Sequence, residues 1–166
     1  LTAVKGMTID SGNGADIVDL TGTFLSAGLL KIATGALNDT VRIAATFAIS
    51  GDVNLDTGTG NDSVSLNFGP DLDPESTSPA NSIGSLTINA GGGSDGVTIN
   101  NEDSVRVNGI ASITTGSGLD IVKLVASAPV TIVKDLKIDT GLGDDAVLLR
   151  AENGSIRIMG NETINL

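Results

Sequence analysis

The sequence has no cysteine, histidine, tryptophan or tyrosine, and only three phenylalanines and four prolines in 166 residues. Without cysteine there are no disulfides and no thiolate-bound metals, although any redox compartment is still compatible. Without histidine the most frequent general acid–base residue is missing. Sugar rings lose their usual stacking platforms with Trp and Tyr. Basic residues are also scarce, nine against twenty acidic ones, for a net charge of −11. That balance argues against nucleic acid, which needs basic patches, and against anionic membranes; it favours solubility and cation binding. No apolar run is long enough for a transmembrane helix. The chain begins at Leu1, in mid-strand pattern, and reads as a mature or excised piece.

Glycine is plentiful, with 22 copies, and so are small aliphatic residues. Together they write one short stretch six times. Its clearest copy is Val53-Asn54-Leu55-Asp56-Thr57-Gly58-Thr59-Gly60-Asn61-Asp62-Ser63-Val64-Ser65-Leu66. The first turn glycines are Gly12, Gly35, Gly58, Gly91, Gly116 and Gly141, spaced by 23, 23, 33, 25 and 25 residues. A period in this range signals a solenoid. Three and five residues before each glycine, and six and eight after it, every position is apolar, as in Leu55, Val53, Val64 and Leu66. Alternation with period two marks a strand with one buried face, so each unit holds two strands around a glycine turn. A third strand is expected in the return segments Thr46–Ser50, Ser104–Asn108, Val130–Val133 and Ser155–Met159.

Three short strands per 23–25 residues predict an all-β fold, a parallel β-helix (β-solenoid) of about six rungs, in a single domain over residues 1–166. Crossovers between parallel strands are overwhelmingly right-handed, which makes a right-handed coil the expectation. The 33-residue interval carries an excess at Asn67–Ser82, with Pro70, Pro74 and Pro79 and the acids Asp71, Asp73 and Glu75. Proline cannot donate to a ladder, so this stretch reads as a loop inserted in the wall.

An Asp falls four residues after each first turn glycine: Asp16, Asp39, Asp62, Asp95, Asp120 and Asp145. Stacked in register they form a column. A partial second column, two residues before the glycine, holds Asp10, Asp56 and Asp139, with Asn89 and Thr114 in equivalent places. The turns, such as Gly58-Thr59-Gly60-Asn61-Asp62 and Gly91-Gly92-Gly93-Ser94-Asp95, resemble the calcium-binding nonapeptide repeats of RTX proteins, Gly-Gly-x-Gly-x-Asp-x-apolar-x. Five units match the second and third glycines, the Asp and the apolar residue; the first glycine is replaced by Ser11, Thr57, Ala90, Thr115 or Thr140. The second unit has Leu37 in place of a glycine. RTX nonapeptides follow one another directly, whereas these are separated by two further strands. The resemblance implies Ca²⁺ held between successive turns by the nine acids of the two columns. A different reading of the same residues makes each Asp a cap that accepts hydrogen bonds from backbone N–H groups of its own turn. The row Ser11, Thr34, Thr57, Ala90, Thr115 and Thr140 alternates inward and is expected to be an internal, rung-to-rung Thr ladder.

The wider pattern looks like secreted bacterial surface proteins with β-helical repeats. The expected function is therefore non-catalytic and architectural: an adhesin stalk, surface-layer element or fibre outside the cell, stabilised by calcium and stacking end to end with itself or with neighbouring repeats. The alternative is a polysaccharide-binding or polysaccharide-degrading β-helix. Against catalysis, the four arginines, Arg42, Arg106, Arg150 and Arg157, are scattered over different rungs.

Overall fold

The computed structural model describes residues 2–3, 5–26, 28–49, 51–70 and 81–166. It is an all-β parallel solenoid of six rungs. One wall is a seven-stranded parallel sheet of the strands that precede each turn: Gly6–Asp10, Leu29–Ala33, Val53–Asp56, Leu86–Asn89, Ala111–Thr114, Leu136–Asp139 and Glu162–Asn165. The strands that follow each turn pair in the same way. They comprise Ile17–Ser26, Thr40–Ile49, Ser63–Phe68, Gly96–Asn101, Ile121–Ala126 and Ala146–Ala151. A third set, Asn81–Ile83, Val105–Val107, Val130–Ile132 and Ile156–Ile158, carries the return.

The walls behind the turn are not separate sheets. Thr40–Ile49 is ten residues long; its first six residues pair with Ser63–Phe68 and its Ala48 pairs with Ser82. One eleven-stranded sheet thus bends round the corner. In the first two rungs the chain passes that corner as a continuous strand. From the third rung on it breaks there, and Phe68 and Asn101, both buried, take the places of Ala45. A small two-stranded sheet, Ser117–Gly118 with Leu142–Gly143, lies within the turns themselves.

Register is constant. Val53 pairs with Leu86 and Val64 with Val97 across the 33-residue interval, just as Leu30 pairs with Val53 across the regular one. The insertion therefore disturbs no rung. Its expected bounds narrow: Asn67 and Phe68 end one strand, and Asn81 and Ser82 begin another. Residues 71–80, with Pro74, Pro79, Asp71, Asp73 and Glu75, lie outside the described residues.

The alternating apolar positions all face inward. Ile32, Ile43, Leu55, Leu66, Ile88 and Ile138 are fully buried and stack like upon like. Stacking at about 4.8 Å per rung packs these aliphatic side chains into continuous columns. The inward row holds from the second rung on: Thr34, Thr57, Ala90, Thr115 and Thr140 are buried, and each of the four Thr hydroxyls donates to a carbonyl of the next rung at 3.2–3.4 Å, whereas Ser11 in the first rung is exposed.

Close stacking explains the first turn glycine. At Gly91 (φ +87°) an added Cβ would fall on the Gly58 carbonyl oxygen below, which is backbone and cannot swing aside. The second glycine position is filled once by a side chain, Leu37, at φ +81° and 62% exposed. A left-handed backbone costs a β-carbon residue about 1–2 kcal/mol, and the exposed side chain returns little of it. Replacing Gly91 with Ala should destabilise the protein by about 3 kcal/mol or more, because strain and a backbone clash add. Leu37→Gly should instead raise stability by up to about 1 kcal/mol. Denaturant unfolding of both variants checks the pair, and equal effects would remove the stacking explanation.

Candidate functional site

The turn is where a parallel ladder ought to fail, since the chain bends away from its neighbours. It does not fail here. Successive N–H groups round the third turn point alternately to the preceding and the following rung. Thr59 N–H donates down to Gly35 O at 3.0 Å, and Gly60 N–H donates up to Gly92 O at 2.9 Å. At the next two positions side chains supply the acceptors. Asn61 N–H donates down to Asn38 Oδ1 at 2.8 Å, and Asp62 N–H donates up to Asp95 Oδ1 at 2.8 Å. Ser63 N–H then returns to a main-chain acceptor, Asp39 O, at 2.9 Å.

The Asp column runs on in the same sense. Asp16 N–H donates to Asp39, Asp39 N–H to Asp62, Asp62 N–H to Asp95, Asp95 N–H to Asp120 and Asp120 N–H to Asp145, each to Oδ1 at 2.8–2.9 Å. Each of these five acceptor carboxylates thus caps the rung before it, not its own turn, which corrects the intra-turn expectation. The reason is the alternation of N–H directions in an extended chain: the Asp N–H points along the solenoid axis. An outer column, Asn38, Asn61 and Ser94, does the same in the opposite sense, with Ser94 N–H on Asn61 Oδ1 at 2.8 Å. That column was not singled out from the sequence; its signal was a polar residue three places after Gly35, Gly58 and Gly91.

In Asp39, Asp62, Asp95, Asp120 and Asp145 only Oδ1 is used. Oδ2 of Asp16, Asp39, Asp62, Asp95, Asp120 and Asp145 is sealed from solvent and has no hydrogen-bond partner among the described residues. Asp39, Asp62, Asp95 and Asp120 are at most 3% exposed. The column is therefore a stack of acids one rung apart, buried from Asp39 to Asp120 and half-satisfied from Asp39 to Asp145. Burial pushes the Asp95 carboxyl up to about 6; the Asp62 N–H opposes this, and the charges of Asp62 and Asp120 add to it. Burial also raises Asp62, opposed by the Asp39 N–H and by the Thr57 hydroxyl, with the Asp39 charge adding. The two sites differ in two respects: two neighbouring charges raise Asp95 and one raises Asp62, and where the third rung has Thr57 the fourth has Ala90, so no hydroxyl reaches Asp95.

The second predicted column does not join this one. Asp10, Asp56 and Asp139 are exposed on the outer side of their strands. Register places Ala33 between Asp10 and Asp56, and Asn89 and Thr114 between Asp56 and Asp139. Asp56 instead accepts from Asn89 Nδ2 at 3.1 Å. Among the described residues no three acidic side chains gather round one point. Ca²⁺ takes six to eight oxygens. The inner column suits it in charge but offers only the two carboxylates of adjacent rungs at each gap.

Two further acids act as corner caps: Asp52 Oδ1 accepts from Ser85 N–H at 2.7 Å, and Asp135 Oδ1 from Asn161 N–H at 2.9 Å. The arginines do not converge. Arg106 donates to Asn108 at 2.8 Å, Arg150 pairs with Glu152 at 3.4 Å, and Arg42 and Arg157 are exposed. Comparison with protein-family models, with curated proteins and with solved structures finds no match.

A carboxyl held above its unfolded value of 3.8 binds its proton more tightly when folded. The stability it contributes is whole below that value and is lost as pH rises through about 6. In metal-free buffer the melting temperature should therefore rise on going from about pH 7.5 to about pH 5. Ala90→Thr should add the missing hydroxyl, lower the Asp95 pKa and raise stability at neutral pH by about 1 kcal/mol. Melting curves across pH for both proteins check this; a curve that falls towards pH 5 would contradict it.

Proposed function

We propose that this chain is a non-catalytic structural module, a length of rigid rod in an extracellular or surface-attached stalk, layer or fibre. The observation that supports it best is the unbroken ladder. Every rung meets the next with the same register, and side chains carry the hydrogen bonding through turns where backbone acceptors run out. Six rungs at the usual strand spacing rise about 30 Å. A further rung, of the same chain or of a second copy, would pair with Ala146–Ala151, Ile156–Ile158 and Glu162–Asn165 by the rules that join the rungs already there.

Calcium is proposed as a stabiliser of this rod and not as a requirement of its fold. The bare Oδ2 atoms support a cation, and the hydrogen-bonded Oδ1 atoms already join the rungs without one. The polysaccharide reading has one supporting feature, a shallow groove lined by Asn67, Asn100, Glu102, Ser127 and Glu152, where Asn100 Nδ2 donates to Asn67 Oδ1 at 3.0 Å. It offers amides and carboxylates but no exposed aromatic ring.

Thermal unfolding with calcium, with magnesium and with EGTA, together with light scattering, tests the proposal. A ligand that binds only the folded state raises its melting temperature by mass action. The expected result is a calcium-specific rise, a folded protein in EGTA, and particles that lengthen with concentration. Unfolding in EGTA would make calcium essential and overturn the self-supporting ladder. A protein that stays monomeric at all concentrations and binds an oligosaccharide would favour the groove.

A further inference from the structure

Three Asn-Gly pairs occur, Asn13–Gly14, Asn108–Gly109 and Asn153–Gly154. In such a pair the glycine nitrogen can reach the asparagine side-chain carbonyl, because no Cβ crowds it. The reaction needs a side chain free to turn and an N–H released from its acceptor. These pairs differ in both respects.

Asn108 is held on every side. Its Nδ2 donates to Ser82 Oγ at 3.0 Å and to Ile83 O at 3.1 Å, and its Oδ1 accepts from Arg106 Nε at 2.8 Å. Gly109 N–H is fixed on Gly84 O at 2.8 Å. Asn13 has an exposed side chain, but Gly14 N–H belongs to the turn ladder and donates to Ala36 O at 3.1 Å. Asn153 is exposed, sits at a corner between the strands Ala146–Ala151 and Ile156–Ile158, and its side chain makes no hydrogen bond among the described residues. Gly154 N–H reaches Ala126 O only at 3.3 Å, and Glu152 N–H already occupies that oxygen at 2.9 Å. A weak, shared bond at a solvent-facing corner opens at low cost.

We propose that Asn153 is a site of spontaneous deamidation, closed through the Gly154 nitrogen. That nitrogen forms a bond to Asn153 Cγ while the Cγ–Nδ2 bond breaks. Nδ2 leaves as ammonia, taking up the proton that the glycine nitrogen gives, and a cyclic imide remains. Water then adds to one of the two imide carbonyls and opens the ring to aspartate or to isoaspartate. No oxidant or reductant is involved. The new carboxylate adjoins Glu152, whose own carboxylate lies 3.4 Å from the Arg150 guanidinium. The isoaspartate product lengthens the main chain at a corner outside the paired strands Ala146–Ala151 and Ile156–Ile158, where only the weak Gly154 N–H bond is at stake, so the core is spared. This inference is independent of the architectural role.

The test is peptide mass mapping of the intact protein aged in warm, mildly alkaline buffer, beside a sample aged in denaturing urea. In the native sample the Asn153 peptide should gain the mass difference between water and ammonia several-fold faster than the Asn13 and Asn108 peptides. In urea the three should convert at similar rates. Asn153→Gln should abolish the early product and leave the melting temperature unchanged. Native conversion at Asn13 or Asn108 as fast as at Asn153 would overturn the proposal. So would an unchanged Asn153 over a period in which the urea sample converts fully.

Discussion

A backbone N–H that leaves a sheet at a corner must find an acceptor or stay bare, and a buried bare N–H costs about 1–3 kcal/mol. A solenoid meets this problem in every rung, most sharply at the glycine turn. Here the answer is a carboxylate oxygen placed one rung away, as when Asp95 Oδ1 takes the Asp62 N–H at 2.8 Å. The rest of the turn follows from that bond. For the Asp side chain to lie along the axis, adjacent turns must stack closely, so the Gly58 carbonyl occupies the space a Cβ would need at Gly91. Close stacking in turn brings the inward Thr row and the aliphatic columns into contact, and one register serves the whole chain.

The same device carries a charge into a place that water cannot reach. An amide side chain could accept the same N–H, as Asn38 does for Asn61 in the outer column. The inner column uses Asp in all six rungs and leaves six Oδ2 atoms without partners among the described residues. Isolated buried charges are unfavourable, so such acids hold their protons longer or attract a cation. Asp95, flanked by Asp62 and Asp120 and lacking a hydroxyl at Ala90, shows the first effect most clearly. The ladder that gives the solenoid its continuity thus also makes it sensitive to acidity, and its bare Oδ2 atoms are where the proposed cation would bind.

Much of this was legible in the sequence, because a period-two apolar pattern repeated at a fixed distance from a glycine leaves few ways to place the chain. The columns of Leu55, Ile88 and Ile113 and the inward Thr row fall where the alternation put them. The Asp column was also legible as a column. The direction of its hydrogen bonds was not, because residue spacing does not show which way an N–H points at a corner. The outer Asn38, Asn61 and Ser94 column was hidden by its mixed residue types. The continuous Thr40–Ile49 strand was hidden too: Ala44 and Ala45 break the alternation where the chain rounds the corner without turning. Asp10, Asp56 and Asp139 shared a position but not a neighbour, since Ala33, Asn89 and Thr114 intervene.

The most direct measurement is amide hydrogen exchange at the turn residues of the native protein and of an Asp62→Ala variant. Exchange reports local opening, and a bonded amide in a stable element is protected. The Asp39, Asp62 and Asp95 amides should be protected like those of the neighbouring strands. In the variant, protection should be lost at Asp39, whose N–H the Asp62 carboxylate accepts at 2.8 Å, and kept at residue 62, whose N–H is held by Asp95. Turn amides that exchange like exposed loops, or a variant that loses protection at 62 and keeps it at 39, would contradict the rung-to-rung carboxylate ladder.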